Sequence, residues 1–280
     1  MMPLGVHTSI EGGISSVLVT AKRLGCETVQ FFGHSPRNWH MATLPQEEVN
    51  RFKIYKRTSG INPIILHTSY LINLSSPDGG VYKKSIRLFL HEIDIALSLS
   101  VDFVVTHLGS TLGRDTSFGI NRVIKALSYV FDKRPHLKTG ILLENTAGGG
   151  WTLGHRLNDI KAIIHALKGQ AVGLCFDTCH GFAAGYPLHS PEDVDKLVKL
   201  IDNEVGLQNL RLIHLNDSKG GFRSRLDRHQ HIGKGSIGLK GFKALVNHPQ
   251  LKDIPMILET PKKSIRDDLR NLKIVRGMIL

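Results

Sequence analysis

Nine side chains in this sequence carry chemistry that an ordinary core or surface does not require: His67, His107, Glu144, Asp177, His180, His214, Asp227, His229 and Glu259. Six of them close a short apolar run. Ile64-Ile65-Leu66 ends in His67, Val104-Val105-Thr106 in His107, and Ile141-Leu142-Leu143 in Glu144. Leu174-Cys175-Phe176 ends in Asp177, Leu212-Ile213 in His214, and Met256-Ile257-Leu258 in Glu259. His, Asp and Glu together make up about one residue in seven, so six such endings by chance have a probability on the order of 10⁻⁵. The other three come from local spacing. Asp177-Thr-Cys-His180 is an i, i+3 pair, so one turn brings His180 back beside Asp177. Asp227-Arg-His229 is an i, i+2 pair, which in an extended segment points both side chains the same way. One His or acid after a strand is usually a cap or a solvated loop residue. Four carboxylates and five imidazoles in one place would repel and lose their hydration unless cations sat among them. Imidazole and carboxylate without thiolate suit Zn²⁺ first, then Mn²⁺ or Fe²⁺. At three or four protein ligands per ion with one carboxylate shared, nine ligands suit two to three ions.

The elements that position these residues are legible as alternating patterns. Strand-like runs are expected at Leu4–His7, Thr28–Phe32, Ile64–His67, Phe103–His107, Ile141–Glu144, Val172–Asp177, Leu210–His214 and Met256–Glu259. Each is followed by a stretch with helical apolar spacing, such as Ile86, Leu90, Ile93 and Leu97. Continuous rather than alternating apolar strands indicate a parallel sheet covered on both faces. Eight strand–helix units without a linker or low-complexity tract point to one α/β domain over residues 1–280, a closed (β/α)₈ TIM barrel with its metal site at the C-terminal end of the strands. An open doubly wound sheet is the alternative, but the phosphate fingerprint after the first strand is absent.

Composition agrees. At 280 residues, 41% hydrophobic and 21% charged, the chain is neither disordered, collagen-like nor coiled coil. No apolar run approaches the ~18 residues of a membrane span, and Met-Met-Pro-Leu-Gly-Val-His lacks the basic start of a secretory signal. The three cysteines, Cys26, Cys175 and Cys179, fit a reducing compartment, so a cytoplasmic location is expected. A net charge of +12 suggests a polyanionic partner, of which nucleic acid is the commonest.

The strings around the nine residues are specific. They are His67-Thr-Ser-Tyr-Leu-Ile-Asn-Leu, His107-Leu-Gly-Ser, Glu144-Asn-Thr-Ala-Gly, Asp177-Thr-Cys-His-Gly-Phe-Ala-Ala-Gly-Tyr, His214-Leu-Asn-Asp-Ser-Lys, Ser224-Arg-Leu-Asp-Arg-His and Leu258-Glu-Thr-Pro. In this order, across nearly the whole chain, they resemble the endonuclease IV family of apurinic/apyrimidinic (AP) endonucleases. The resemblance implies three zinc ions: one on His67, His107 and Glu144; one on Glu144, Asp177, His214 and Glu259; one on His180, Asp227 and His229. It further implies cleavage of duplex DNA 5′ to an abasic site in base excision repair, leaving a 3′-hydroxyl and a 5′-deoxyribose phosphate, with removal of blocked 3′ ends. Glu144 and Glu259 are the expected catalytic carboxylates. Arg37 matches the family's stack-invading arginine, and Tyr70 and Leu71 its minor-groove wedge. Departures are Leu108, where a proline usually follows the ligand histidine, and Gln230 and Lys234, which touch no ligand.

Physical chemistry supports that reading. A phosphodiester repels hydroxide and has a poor leaving group, and two close divalent ions address both obstacles. Opening a duplex costs less where a base is missing, and small wedges fill the vacated stack. The loop after the seventh strand carries Lys219, Arg223, Arg225, Arg228 and Lys234, with Arg225 and Arg228 the expected phosphate contacts. No membrane or organic cofactor is expected, and a monomer is. Gly233-Lys-Gly-Ser-Ile-Gly238 fits a dinucleotide fingerprint but lies far from the first strand, leaving at most a phosphate contact to DNA. Cys179 stands between two ligands and could bind zinc, but the resemblance gives that job to its neighbours; Cys175 is expected to pack in the barrel, and Cys26 at a helix end. His34, His40 and His189 are expected at the surface or in loops, and His7 either supports the ligands or packs the mouth. Two rivals remain: a metal-dependent sugar isomerase or epimerase on a related barrel, and a DNA-binding scaffold with structural zinc.

Overall fold

A computed structural model describes residues 2–280. Eight parallel strands close into a barrel: β1 (Leu4–Thr8), β2 (Thr28–Phe32), β3 (Ile64–His67), β4 (Phe103–His107), β5 (Gly140–Glu144), β6 (Val172–Asp177), β7 (Leu210–His214) and, after a two-stranded hairpin of β8 (Asp217–Ser218) and β9 (His229–Gln230), β10 (Met256–Leu258). Neighbours pair in sequence order, and β1 pairs with β10 to close the ring. The barrel therefore has no open edge.

The expected strands are present, with small shifts. β1 runs on to Thr8, and β5 starts at Gly140. β10 stops at Leu258, because the Glu259 N–H leaves the ladder and donates to the Asn216 side-chain oxygen at 2.8 Å. Helices α1 (Ser16–Arg23), α2 (Gln46–Ser59), α3 (Gly79–Leu99), α4 (Thr116–Lys133) and α5 (Leu157–Ala166) follow the first five strands. β6 is followed by two, α6 (Thr178–Ala184) and α7 (Pro191–Glu204), whereas α8 (Gly238–Val246) and α9 (Ile265–Arg276) complete the layer. Local sequence explains where several begin. Asp78 and Asp115 cap α3 and α4 by accepting from Val81 N–H and Phe118 N–H, and Ser264 with Asp267 forms a capping box on α9.

The apolar core has two parts. The large one lies between strands and helices and includes Phe31, Phe52, Phe89 and Phe242. The small one fills the barrel: Ile65, Val105, Leu142, Cys175, Leu212 and Ile257, contributed by β3, β4, β5, β6, β7 and β10. Each of these six lies two residues before one of the strand-end acids or imidazoles. Side chains at i and i+2 share a strand face, so the two sets stack inside the same ring.

Candidate metal centre

The six strand-end residues and the three from local pairs meet at the C-terminal mouth. Candidate ligand atoms gather, all within 4.8 Å of one another in each group, as His67–His107–Glu144, as Glu144–Asp177–His214–Glu259, and as His180–Asp227–His229. Glu144 belongs to two groups because its oxygens face opposite ways. Oε2 lies 3.0 Å from His67 Nε2 and 3.3 Å from His107 Nε2, while Oε1 lies 3.0 Å from His214 Nδ1 and 3.3 Å from His180 Nδ1. In the third group His180 Nε2 stands 3.0 Å from Asp227 Oδ1, and His229 Nε2 stands 3.7 Å from the same oxygen.

Local structure sets each position. Asp177 caps α6 by accepting from His180 N–H at 2.8 Å, which fixes the i, i+3 pair. The β8–β9 hairpin folds the basic loop over the mouth and delivers Asp227 and His229. Two neutral amides, which sequence reasoning missed, hold Asp177, one at its carboxylate and one at its main chain. Asn216 donates to Asp177 Oδ2 at 2.6 Å, and Asn145 accepts from Asp177 N–H at 2.6 Å. Asn-Thr after Glu144 and Leu-Asn after His214 are their only sequence trace.

Glu144, Asp177 and His214 are wholly buried. Burial would raise the Glu144 carboxyl, yet His107, His214 and His180 around it hold it well below the usual carboxylate range. His214 is lowered by burial but raised further by Cys175, Glu259 and Glu144, and ends well above the usual imidazole value. Burial lowers two other imidazoles of the mouth, His107 and His7, the latter to about 4. His7 Nδ1 stands 3.4 Å from Glu259 Oε1 and 3.0 Å from the Gln30 amide nitrogen. Among the described residues no Lys or Arg pairs with Glu144, Asp177 or Glu259, whose only ion-pair partners are imidazoles. His229 Nε2, aimed into the third group, is buried without a hydrogen-bond partner. Buried carboxylates without fixed cations, and an imidazole nitrogen with nothing to bond, fit bound divalent ions. The donor set is that of Zn²⁺, Mn²⁺ or Fe²⁺.

Beside the groups lies a cavity of about 500 Å³, lined by Tyr70, Asn73, His107, His180, Arg225 and Asp227 among others. Tyr70 is 59% exposed at the rim of the cavity, and its ring rests edge-on against Phe32 with ring centroids 5.1 Å apart. Leu71 is half-buried beside it, and Arg37 is exposed on the loop after β2. Lys219, Arg223, Arg225, Arg228 and Lys234 are all exposed. Arg223 and Arg225 adopt left-handed backbone, φ 62° and 54°, and their N–H groups donate to Phe182 and Ala183 carbonyls, stapling the basic loop to α6. Gly149 explains part of the glycine triplet, since a Cβ there would stand 2.9 Å from the Arg225 carbonyl oxygen.

One expectation changes. The Gly233–Gly238 loop does not await a phosphate. Gly233 N–H and Gly235 N–H donate to Asp217 Oδ2, and Ile237 N–H donates to Oδ1, so a buried carboxylate of the chain already fills that cradle. His34 lies in the loop after β2, as expected, and is half-buried there, with Nε2 2.9 Å from buried Glu92, whose hydrogen bond raises the imidazole above its ordinary value. The same Glu92 oxygen accepts from Ser69 N–H, and Ser69 donates to the Pro36 carbonyl, so the Arg37 and Tyr70 loops share one support. Cys179 Sγ lies within 4.8 Å of ligand atoms of Asp177 and His229; burial pushes its thiol up to about 12, and its S–H donates to the Arg228 carbonyl. Cys175 lies in the barrel interior, Cys26 is buried beyond the end of α1, and His40 and His189 are exposed, as expected. Leu108 is fully buried, packed toward Gly154, and leaves His107 in its group.

Residues 18–275 match the family described as xylose isomerase-like TIM barrel. A protein of Halothermothrix orenii called a probable endonuclease 4 is 40% identical over 98% of this chain and 99% of its own length. One of Methanoculleus marisnigri with the same description is 39% identical over 99% of each. The crystal structure of endonuclease IV from Thermus thermophilus superposes with a TM-score of 0.89 at 34% identity, covering 99% of this chain and 98% of that one.

Proposed function

The chain belongs to the endonuclease IV family, and from that membership we propose that it cuts duplex DNA on the 5′ side of abasic sites with three zinc ions held at the barrel mouth. The products are a 3′-hydroxyl and a 5′-deoxyribose phosphate, and blocked 3′ ends are removed by the same chemistry. The observation that carries this is the shared Glu144, whose two oxygens face two separate groups of nitrogen and carboxylate donors.

His67, His107 and Glu144 would hold one ion, Glu144, Asp177, His214 and Glu259 a second, and His180, Asp227 and His229 a third. Such ions, when bound, supply Lewis-acid charge that activates water and neutralises the phosphodiester. The chain's own residues do the rest. Glu144 fixes the separation of the first two positions, and Glu259, held by Asn216 and Gln30, closes the second. The exposed Tyr70 ring, with Leu71 and Arg37, enters the duplex where a base is missing and fills the gap. Arg225 and Arg228, on a loop pinned to α6, grip phosphates over the cavity.

A duplex carrying one abasic site and a labelled strand tests this. Protein as purified is expected to nick it immediately 5′ to the lesion, leaving an end that a polymerase extends. A strong chelator should stop the reaction and added zinc restore it. Uncut duplex from a protein shown to carry its ions would overturn the proposal.

A further inference from the structure

The imidazoles of the mouth are not all oriented in the same way. In His67, His180 and His229 the ring Nδ1 lies against a main-chain carbonyl, that of Thr68 at 2.8 Å, Asn145 at 3.0 Å and Glu259 at 3.1 Å. A carbonyl oxygen only accepts, so each Nδ1 keeps its proton and Nε2 presents its lone pair to the mouth. His214 is reversed. Its Nε2 lies 2.8 Å from Gln30 Oε1, while Nδ1 faces Glu144 at 3.0 Å and Glu259 at 3.2 Å. The group that settles its tautomer is a side chain, and it comes from β2, a strand that ends in none of the nine candidate ligands.

Gln30 is fully buried in the middle of β2, where its neighbours Val29 and Phe31 are apolar. Its amide is committed at both ends. The oxygen accepts from His214, and the nitrogen donates to Glu259 Oε1 at 2.6 Å and to His7 Nδ1 at 3.0 Å. The Glu259 carboxylate fixes the amide's orientation, since a reversed amide would set its oxygen against a carboxylate oxygen at 2.6 Å, and the oxygen left facing His214 then requires the proton on Nε2. One neutral group thus touches two members of the Glu144–Asp177–His214–Glu259 group and neither imidazole of the His67–His107–Glu144 group.

We infer that Gln30 is a positioning residue of this centre, fixing the His214 tautomer and one Glu259 oxygen so that the second cation position forms. The inference rests on the cation-holding role proposed above. It also explains why β2, alone with β1 among the barrel strands, lacks a candidate ligand at its end: its contribution is made one layer lower, by an amide.

The test uses the full chain with Gln30→Met, which keeps the length but has neither donor nor acceptor of comparable strength, and Gln30→Glu, which keeps an acceptor for the His214 N–H but loses the donor to Glu259. Metal content is measured after dialysis against graded chelator, absorption is recorded after cobalt reconstitution, and kcat and KM are determined on the abasic duplex. In Gln30→Met one ion should be lost at about 10- to 100-fold lower chelator strength while the others are retained. The cobalt bands should shift, and kcat should fall with KM unchanged. Gln30→Glu should recover part of the retention. Wild-type retention and spectrum in Gln30→Met would overturn the inference, as would equal loss of every ion in both variants. Should Gln30→Met not fold, a cobalt spectrum of Gln30→Glu identical to wild type would overturn it instead. A wild-type protein that holds its ions yet leaves abasic duplex uncut would refute the proposed function while leaving the retention experiment valid.

Discussion

Two rings of side chains, one pleat apart on the same six strands, divide the interior of this barrel. The lower is Ile65, Val105, Leu142, Cys175, Leu212 and Ile257; the upper is His67, His107, Glu144, Asp177, His214 and Glu259. Both face inward, and both are largely shut off from solvent: Leu142 is 1% exposed and Glu144 0%. They differ only in chemistry. The lower ring needs nothing but close packing. The upper ring buries acids that burial alone would protonate, and the imidazoles around them hold Glu144 and Glu259 well below the usual carboxylate range. The apolar floor keeps water away from the acids, which makes their need for positive charge acute. A layer that is expensive to bury is tolerated where it has a use, and the use proposed for this one is to gather cations.

The comparison can be broken from either side. The largest effect is expected in the upper ring, where Glu259→Gln removes one charge from the second group. Cleavage of an abasic duplex should fall on the order of 10³-fold with binding of that duplex unchanged, read by single-turnover kinetics beside a gel-shift titration. Near-wild-type cleavage would mean that the second group is not part of the centre. In the lower ring, Leu142→Ala should cost about 2–5 kcal/mol of folding stability in denaturant titrations. Metal content and cleavage well below the unfolding transition should stay the same. Loss of ions from the folded variant would show that the floor positions the ligands and does not merely exclude water.

At the rim the expected effect is smaller. Tyr70→Ala should weaken abasic-duplex binding about 10-fold, near the value of one stacked base, and leave undamaged duplex almost unaffected. Equal losses on both duplexes would reduce Tyr70 to a packing residue on Phe32.

Much of this layout is legible in the sequence because it obeys two simple rules. Strands in a parallel barrel are apolar throughout, so an acid or imidazole at the end of one stands out, and all such ends share one face. The i, i+3 and i, i+2 pairs add His180, Asp227 and His229 in the same way. What the sequence hides are the partners of those residues. Gln30, Asn145 and Asn216 are neutral amides with no distinctive spacing, and their roles appear only when β2, β5 and β7 are brought together. His34 is a loop residue, as its sequence suggests, but its buried partner Glu92 lies on α3, far along the chain, and could not be read from the sequence. The Gly233–Gly238 loop reads as an anion cradle, correctly, but its anion is Asp217 of the same chain.

Anomalous X-ray scattering from crystals of the purified protein, collected on either side of the zinc absorption edge, addresses the upper ring most directly. Three peaks should appear: one among His67, His107 and Glu144, one among Glu144, Asp177, His214 and Glu259, and one among His180, Asp227 and His229. A mouth without a peak at Glu144 in crystals shown to contain zinc would contradict it.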